Sequence, residues 1–255
     1  MPLNNKFITF IFIPAQLIAL AGILMLPWTV DLTILLYLFF GYIIFPGLGS
    51  AVALHRVFSH KAINLKKGFK IPLLWIASMC LQGNTITWSA THRGRHHRFT
   101  DTDKDPHTPK KGFAESYYKW ILNWQEHFEP KYAVDLIRDK DHLFFAKWYI
   151  EIVVISYILL FLISPTFALY GVLIPAVYSY HQESIVNWFC HQTKYGYRNF
   201  NLENDSTNIK WLSLLTWGQA LHNNHHAKPS DYSFATKKEE LDPATIFLPL
   251  IKHDS

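Results

Sequence analysis

Apolar residues in this chain come in long runs, not in the alternation of a soluble domain. Residues 7–27 and 32–54 are nearly unbroken hydrophobic stretches, and 143–163 and 166–189 supply two more. Each is long enough to cross a hydrocarbon core of roughly 30 Å at about 1.5 Å per residue. The pattern predicts an all-α integral membrane protein with four transmembrane helices. A further run, 71–81, is too short to span and predicts an interfacial helix over about 71–88. The first run contains Pro14 and no small-residue cleavage site before the next span, so it reads as a retained membrane helix and not as a signal peptide.

Polar positions complete the layout. The connections at 28–31 and 164–165 are tight and carry no Lys or Arg. Of the 24 basic residues, 23 fall in the N-terminal stub, the long loop 55–142, or the tail after residue 189, and Lys147 lies near the loop end of the third run. With an even number of spans these regions share one side, and the positive-inside rule makes that side cytosolic. A crossing at 71–81 would put His55 and His60 on the opposite face from His92, His96 and His97. The chain is therefore expected to be one domain over 1–255: a multi-pass protein, of the bacterial inner membrane, with both termini cytosolic and a cytosolic helical cap formed by 90–142 and 191–255. Half the residues are hydrophobic, 16% aromatic and only 17% charged, too few charges for a fully water-facing surface. The net charge of +5 is spread without a basic stripe or a nucleic-acid motif, so no nucleic-acid partner is expected. Cys80 and Cys190 lie in apolar stretches and read as buried free thiols.

Candidate chemistry lies in three histidine clusters on the predicted cytosolic side: His55 and His60; His92, His96 and His97; His222, His225 and His226. Imidazole is the commonest metal ligand, and these eight are too many for one tetrahedral zinc and fit a pair of redox metals. On an α-helix, His92 and His96 face one way, as do His222 and His226, while His97 and His225 stand off that line and can reach a second metal. His55 and His60, five apart, lie about 140° around a continuous α-helix. They are expected to need a helix break, or to serve two metals. His107, His127, His142 and His253 stand alone and are expected to be surface or structural residues.

Within the last span, Glu183, Asn187 and His191 recur every four residues as a polar stripe, with His181 on a neighbouring face. Ionisable groups inside a membrane helix are costly and mark functional sites by default. His191 is the best-placed ninth ligand, and Asn187, one turn deeper, can hold a metal-bound water. After the second cluster, Asp101 and Asp105 lie in a carboxylate-rich turn and are expected to orient ligand imidazoles. A carboxylate-bridged iron pair would use Glu-x-x-His pairs, which are lacking.

At these residues the chain resembles the membrane fatty-acid desaturase family, in particular the stearoyl-CoA-type delta-9 acyl desaturases and their bacterial relatives, over roughly 49–232. The first cluster, the second with its following Asp-Thr-Asp and Asp-Pro-His, the Asn187-to-His191 segment with Tyr195-Gly-Tyr-Arg, and the third cluster match four family elements in order. The resemblance implies two iron ions (Fe2+) bound by nine histidines, with Asn187 reaching one through water. It also implies O2-dependent desaturation of a fatty acyl-CoA or acyl-lipid, with an external electron donor (ferredoxin, rubredoxin or a b-type cytochrome with an NAD(P)H reductase) and the lipid bilayer as partners. Three features depart from the pattern. Three residues separate His92 from His96 where animal acyl-CoA enzymes have two. Glu183-Ser184 and Trp188 stand where relatives commonly carry Thr-Trp and Ser, which bears on the substrate channel. No His-Pro-Gly-Gly stretch of a fused haem domain occurs, which implies a separate donor. A membrane di-iron hydroxylase or ketolase shares the histidine clusters, and a non-enzymatic metal-binding protein is a remoter alternative, since transport would need polar residues spread through several spans.

Overall fold

The structure is a computed structural model and describes residues 7–124 and 128–253. Among these residues every regular element is helical, with only isolated β-bridges. Helix α1 (Ile8–Thr29) and helix α2 (Leu32–Ser59) are long and apolar enough to cross a membrane. Only 22% and 33% of their most apolar windows are buried within the protein, as expected of surfaces that face lipid. Asp31 makes the turn between them, its carboxylate accepting the Ile34 amide at 2.8 Å as an N-cap.

The segment 71–88 resolves into two helices, α3 (Lys70–Met79) and α4 (Thr85–Thr91). Between them Leu81 and Gly83 adopt φ of +58° and +92°, and Asn84 caps α4 through the Thr87 amide at 3.0 Å. Helix α4 runs on without a break into a π-helical turn, His92–His97. After the connecting loop come α5 (Lys140–Lys147) and α6 (Tyr149–Ile163), bent by 69° at Trp148. The pair is apolar enough to count as a third crossing if it is one bent span. Ser164 then caps α7, a continuous helix made of Phe167–Leu173 and Ile174–Phe189. The tail carries α8 (Lys210–Leu215) and α9 (His222–Ala227).

Two apolar cores hold these elements together. One joins α2, α3 and the tail through Leu54, Phe58, Leu74, Met79 and Leu248, and the other joins α1, α6 and α7 through Phe12, Tyr149, Val153 and Tyr180. A buried ion pair ties the tail to α2. Arg56 donates to Asp242 at 2.9 Å, to the Ala51 carbonyl at 2.7 Å and to the Tyr232 carbonyl at 3.0 Å, and its guanidinium lies 3.8 Å over the Phe234 ring. Phe234 in turn packs on His225, with ring centroids 4.4 Å apart. The C-terminal ends of α2 and α7, the π-turn after α4, and α9 thus converge on one buried volume.

Candidate metal centre

Two groups of imidazoles meet there. His55, His60, His92, His97 and His225 form the first, and His96, His191, His222 and His226 the second; within each group the ligand atoms all lie within 4.8 Å of one another. In the first, His60 and His92 approach at 2.8 Å between Nε2 atoms, His55 and His225 at 2.9 Å, His97 and His225 at 2.9 Å, and His97 and His92 at 3.0 Å. In the second, His191 and His222 approach at 2.9 Å, His222 and His226 at 3.0 Å, and His96 and His226 at 3.2 Å. Nitrogens bound about 2.1 Å from one metal stand about 3.0 Å apart at right angles and about 3.4 Å apart in a tetrahedron. The observed spacing, and five donors in one group, fit near-perpendicular coordination of higher number than structural zinc uses. The groups adjoin, with His97 and His226 stacked at 4.4 Å between ring centroids.

Helix winding explains this grouping and corrects two expectations. His55 and His60 join the same group because the C-terminal half of α2 is wound as a π-helix, in which the His60 amide bonds the His55 carbonyl five residues back at 3.0 Å. The wider turn returns position i+5 to nearly the same face. The π-turn at His92–His97 does the same for His92 and His97, and His96, one residue off that line, is delivered to the second group. His92 and His96 are therefore split between the groups and do not share one. Helix α9 is α-helical and behaves as expected, placing His222 and His226 in one group and His225 in the other. Gly94 permits the π-turn to pack, since a Cβ there would lie 2.0 Å from the Tyr132 ring.

Behind four of the rings, Nδ1 meets an acceptor. His55 Nδ1–H donates to Gln219 Oε1 at 2.6 Å, His96 to Asp105 at 3.2 Å, His191 to Asp101 at 3.1 Å, and His222 to the Gln219 carbonyl at 3.1 Å. Each bond puts the proton on Nδ1 and leaves the Nε2 lone pair facing the group. Burial, reinforced by neighbouring positive charge, holds His92, His97, His222, His225 and His226 well below the ordinary histidine range, so they are neutral donors. His191 differs. Burial lowers it, but Asp101 and Asp105 outweigh burial and favour positive charge, and the field that favours a proton also favours a metal ion. For Asp105, burial raises the carboxyl, but His96 and His107 outweigh it and hold it well below the usual range.

Asn187, Glu183, His55, His92 and His222 line a cavity of about 40 Å³ closed by Trp88, Trp120, Ile121, Trp124 and Tyr180. Its size suits a water or a diatomic gas. His181 is not brought to it. It accepts from Tyr117 OH at 3.1 Å and donates to Gln16 at 2.9 Å, in a separate groove between α1 and α7. Of the histidines expected to stand alone, His107 is buried, lines the cavity and contacts Asp105 at 3.3 Å, while His142 is buried against Thr85 at 2.7 Å. His253 is exposed, and His127 lies outside the described residues. Cys80 and Cys190 are buried free thiols. Gln219 was not apparent from the cluster pattern. Its signal is its place one helical turn before His222, where it follows Gly218, which has φ +86° and would press a Cβ against Asp242.

The comparisons agree with this geometry. The family described as fatty acid desaturase matches residues 11–236. The sn-1 stearoyl-lipid 9-desaturase of Anabaena variabilis is 35% identical over 73% of this chain and 68% of its own length. The sn-2 palmitoyl-lipid 9-desaturase of Nostoc sp. is 31% identical over 81% and 74% of the two chains. The sn-1 stearoyl-lipid 9-desaturase of Synechocystis sp. is 32% identical over 86% and 69%. With its helical fold and paired histidine groups, the chain belongs to the fatty acid desaturase family and is an oxidoreductase of that class.

Proposed function

We propose that this chain introduces a double bond by removing two hydrogens from adjacent methylenes, at the delta-9 position, of a saturated acyl chain carried on a membrane lipid. Two irons are the metals, one in each histidine group. The balance is –CH2–CH2– plus O2, two electrons and two protons giving –CH=CH– and two waters, with the electrons supplied by a small external carrier of the ferredoxin, rubredoxin or b-type cytochrome class. The observation that carries this reading is the pair of converging Nε2 groups, 2.8–3.2 Å between neighbours, beside one small cavity that members of both groups line. Acyl-lipid is preferred to acyl-CoA because the relatives are named as acyting on lipid-bound stearoyl and palmitoyl chains.

Iron bound in these groups supplies the O2 activation that unactivated C–H bonds demand and that redox-inert zinc cannot provide. The chain's own residues do the rest. Asp105, Asp101 and Gln219 hold His96, His191 and His55 with their Nε2 lone pairs inward. The indoles and Tyr180 around the cavity exclude bulk water, and Asn187 on the cavity wall holds a water beside the second group. Four spans, with α6 and α7 as the third and fourth, and a cytosolic cap on the same side as both termini complete the architecture. Expression in a host lacking desaturases, followed by mass spectrometry of its lipids, tests the function. A new mono-unsaturated lipid with the double bond at carbon 9 supports it; hydroxylated or keto products would assign the chain to the related oxidations instead.

A further inference from the structure

We infer that Glu183, acting through the Gln219 amide, determines which ring nitrogen of His55 carries the proton, keeping Nε2 bare toward the first histidine group, and so is a positioning residue for that group. A continuous chain of hydrogen bonds runs beneath the site. The Trp88 indole donates to Gln82 Oε1 at 3.1 Å, Gln82 Nε2 donates to the Ser50 hydroxyl at 3.0 Å, and Ser50 donates to Glu183 Oε1 at 2.5 Å. From the other side, Gln219 Nε2 donates to the same Glu183 oxygen at 2.6 Å, and Gln219 Oε1 accepts from His55 Nδ1 at 2.6 Å.

The direction of every bond is forced by its ends. An indole only donates and a carboxylate only accepts, whereas the two ends of a glutamine amide are nearly the same size and are told apart by their partners. Gln219 has no exposed surface, so no water chooses for it. With an acceptor at position 183, its NH2 turns toward Glu183 and its oxygen toward His55. His55 then carries its proton on Nδ1 and presents a bare Nε2, 2.9 Å from His225 Nε2, to the first group. An amide at position 183 no longer enforces that choice, because its NH2 can take the place of the shared oxygen. Gln219 can then reverse and donate to His55 Nδ1, and the displaced proton sits on Nε2, where a metal must bind. The second group is insulated from this reversal, because His222 is held by the Gln219 backbone carbonyl at 3.1 Å, which does not rotate with the side chain.

This inference rests on the two-iron reading and is tested on the full chain in detergent by iron content per chain, Mössbauer spectra of the iron-loaded protein, and melting of the metal-free protein. Glu183→Gln preserves size, so metal-free melting should match wild type while iron falls to about half and one of two spectral components is lost. The swap Glu183→Gln with Gln219→Glu restores the chain: the carboxylate moved to position 219 accepts both the His55 proton and the NH2 at position 183, and that NH2, standing where the shared Oε1 stood, donates its second hydrogen to the Ser50 hydroxyl. Iron should return to within about twofold of wild type, with both spectral components. Two results overturn the inference: Glu183→Gln retaining both components at full occupancy, or a swap variant that stays depleted although its metal-free melting is unchanged. A wild-type chain that takes up no iron would overturn the two-iron reading and this inference together.

Discussion

Replacing Asp101 by Asn removes one charge behind one ligand and should weaken the second histidine group selectively. Asp101 sits at φ +61° in the turn after the π-helix, buried, with its carboxylate accepting His191 Nδ1 at 3.1 Å, the Asp205 amide at 2.8 Å and the Thr108 hydroxyl at 3.5 Å. Burial pushes its carboxyl up, but the His191 charge and hydrogen bond and the Asp205 amide outweigh burial and hold it below the usual range. Hydrogen bonds to a charged group contribute about 1.5–3 kcal/mol and neutral ones about 0.5–1.5. The loss at His191 is therefore about 1–2 kcal/mol, or roughly 5–30-fold in metal affinity, within the range for residues that support metal ligands. The amide still offers an oxygen, so the Asp205 contact survives and the fold is retained. A chelator titration of the iron-loaded protein reads this directly. About half the iron should leave at roughly 5–30-fold lower chelator, while the rest keeps its wild-type midpoint. Coincident wild-type and variant titrations, with all iron leaving at one unchanged midpoint, would refute the reasoning.

Three other outcomes are expected. Arg56→Met leaves the Asp242 carboxylate buried with only the Phe234 and Ala244 amides, at 2.8 and 3.2 Å, and should cost about 3–5 kcal/mol in thermal or denaturant unfolding; a loss under about 1 kcal/mol would contradict the buried-pair account. For Glu240, burial raises the carboxyl, but bonds from Tyr197, Thr236, Asn199 and Lys237 outweigh it and lower the pKa from 4.5 to about 2. Because the folded value is the depressed one, its contribution is complete above the unfolded value and is lost as pH falls toward about 2; hydrogen exchange in the tail should show this acid loss, and a Glu240→Gln variant with the same acid profile would contradict it. A cysteine placed at Lys104 should be labelled only from the cytosolic face, and labelling only from the opposite face would overturn the four-span topology.

The sequence made the gathering of the nine histidines legible because imidazole clusters have few other reasons to exist beside apolar spans. It did not make the partition legible. Assigning His55 with His60, and His92 with His97, needs the π-helical winding, and nothing in residues 43–59 or 92–97 distinguishes π from α by hydrophobic period alone. The supporting acceptors divide in the same way. Asp101 and Asp105 were legible as carboxylates beside a cluster, whereas Gln219 and Ser50 are ordinary polar residues whose roles come from being brought to His55 and Glu183 across the fold. His107 stands near the second cluster in sequence, yet only the packed loop reveals it on the cavity wall. Spans α1 and α2 were legible from composition, while the bend at Trp148 comes from local turn geometry that the apolar run at 143–163 conceals.

The central claim is that two irons bind the nine histidines in two separate groups. Metal analysis with iron X-ray absorption on the purified chain tests it most directly. The account predicts close to two irons per chain, with nitrogen neighbours at about 2.1 Å and an average of four to five imidazoles per metal, five in one group and four in the other. One zinc per chain in a tetrahedral environment, with iron unable to replace it, would contradict the account.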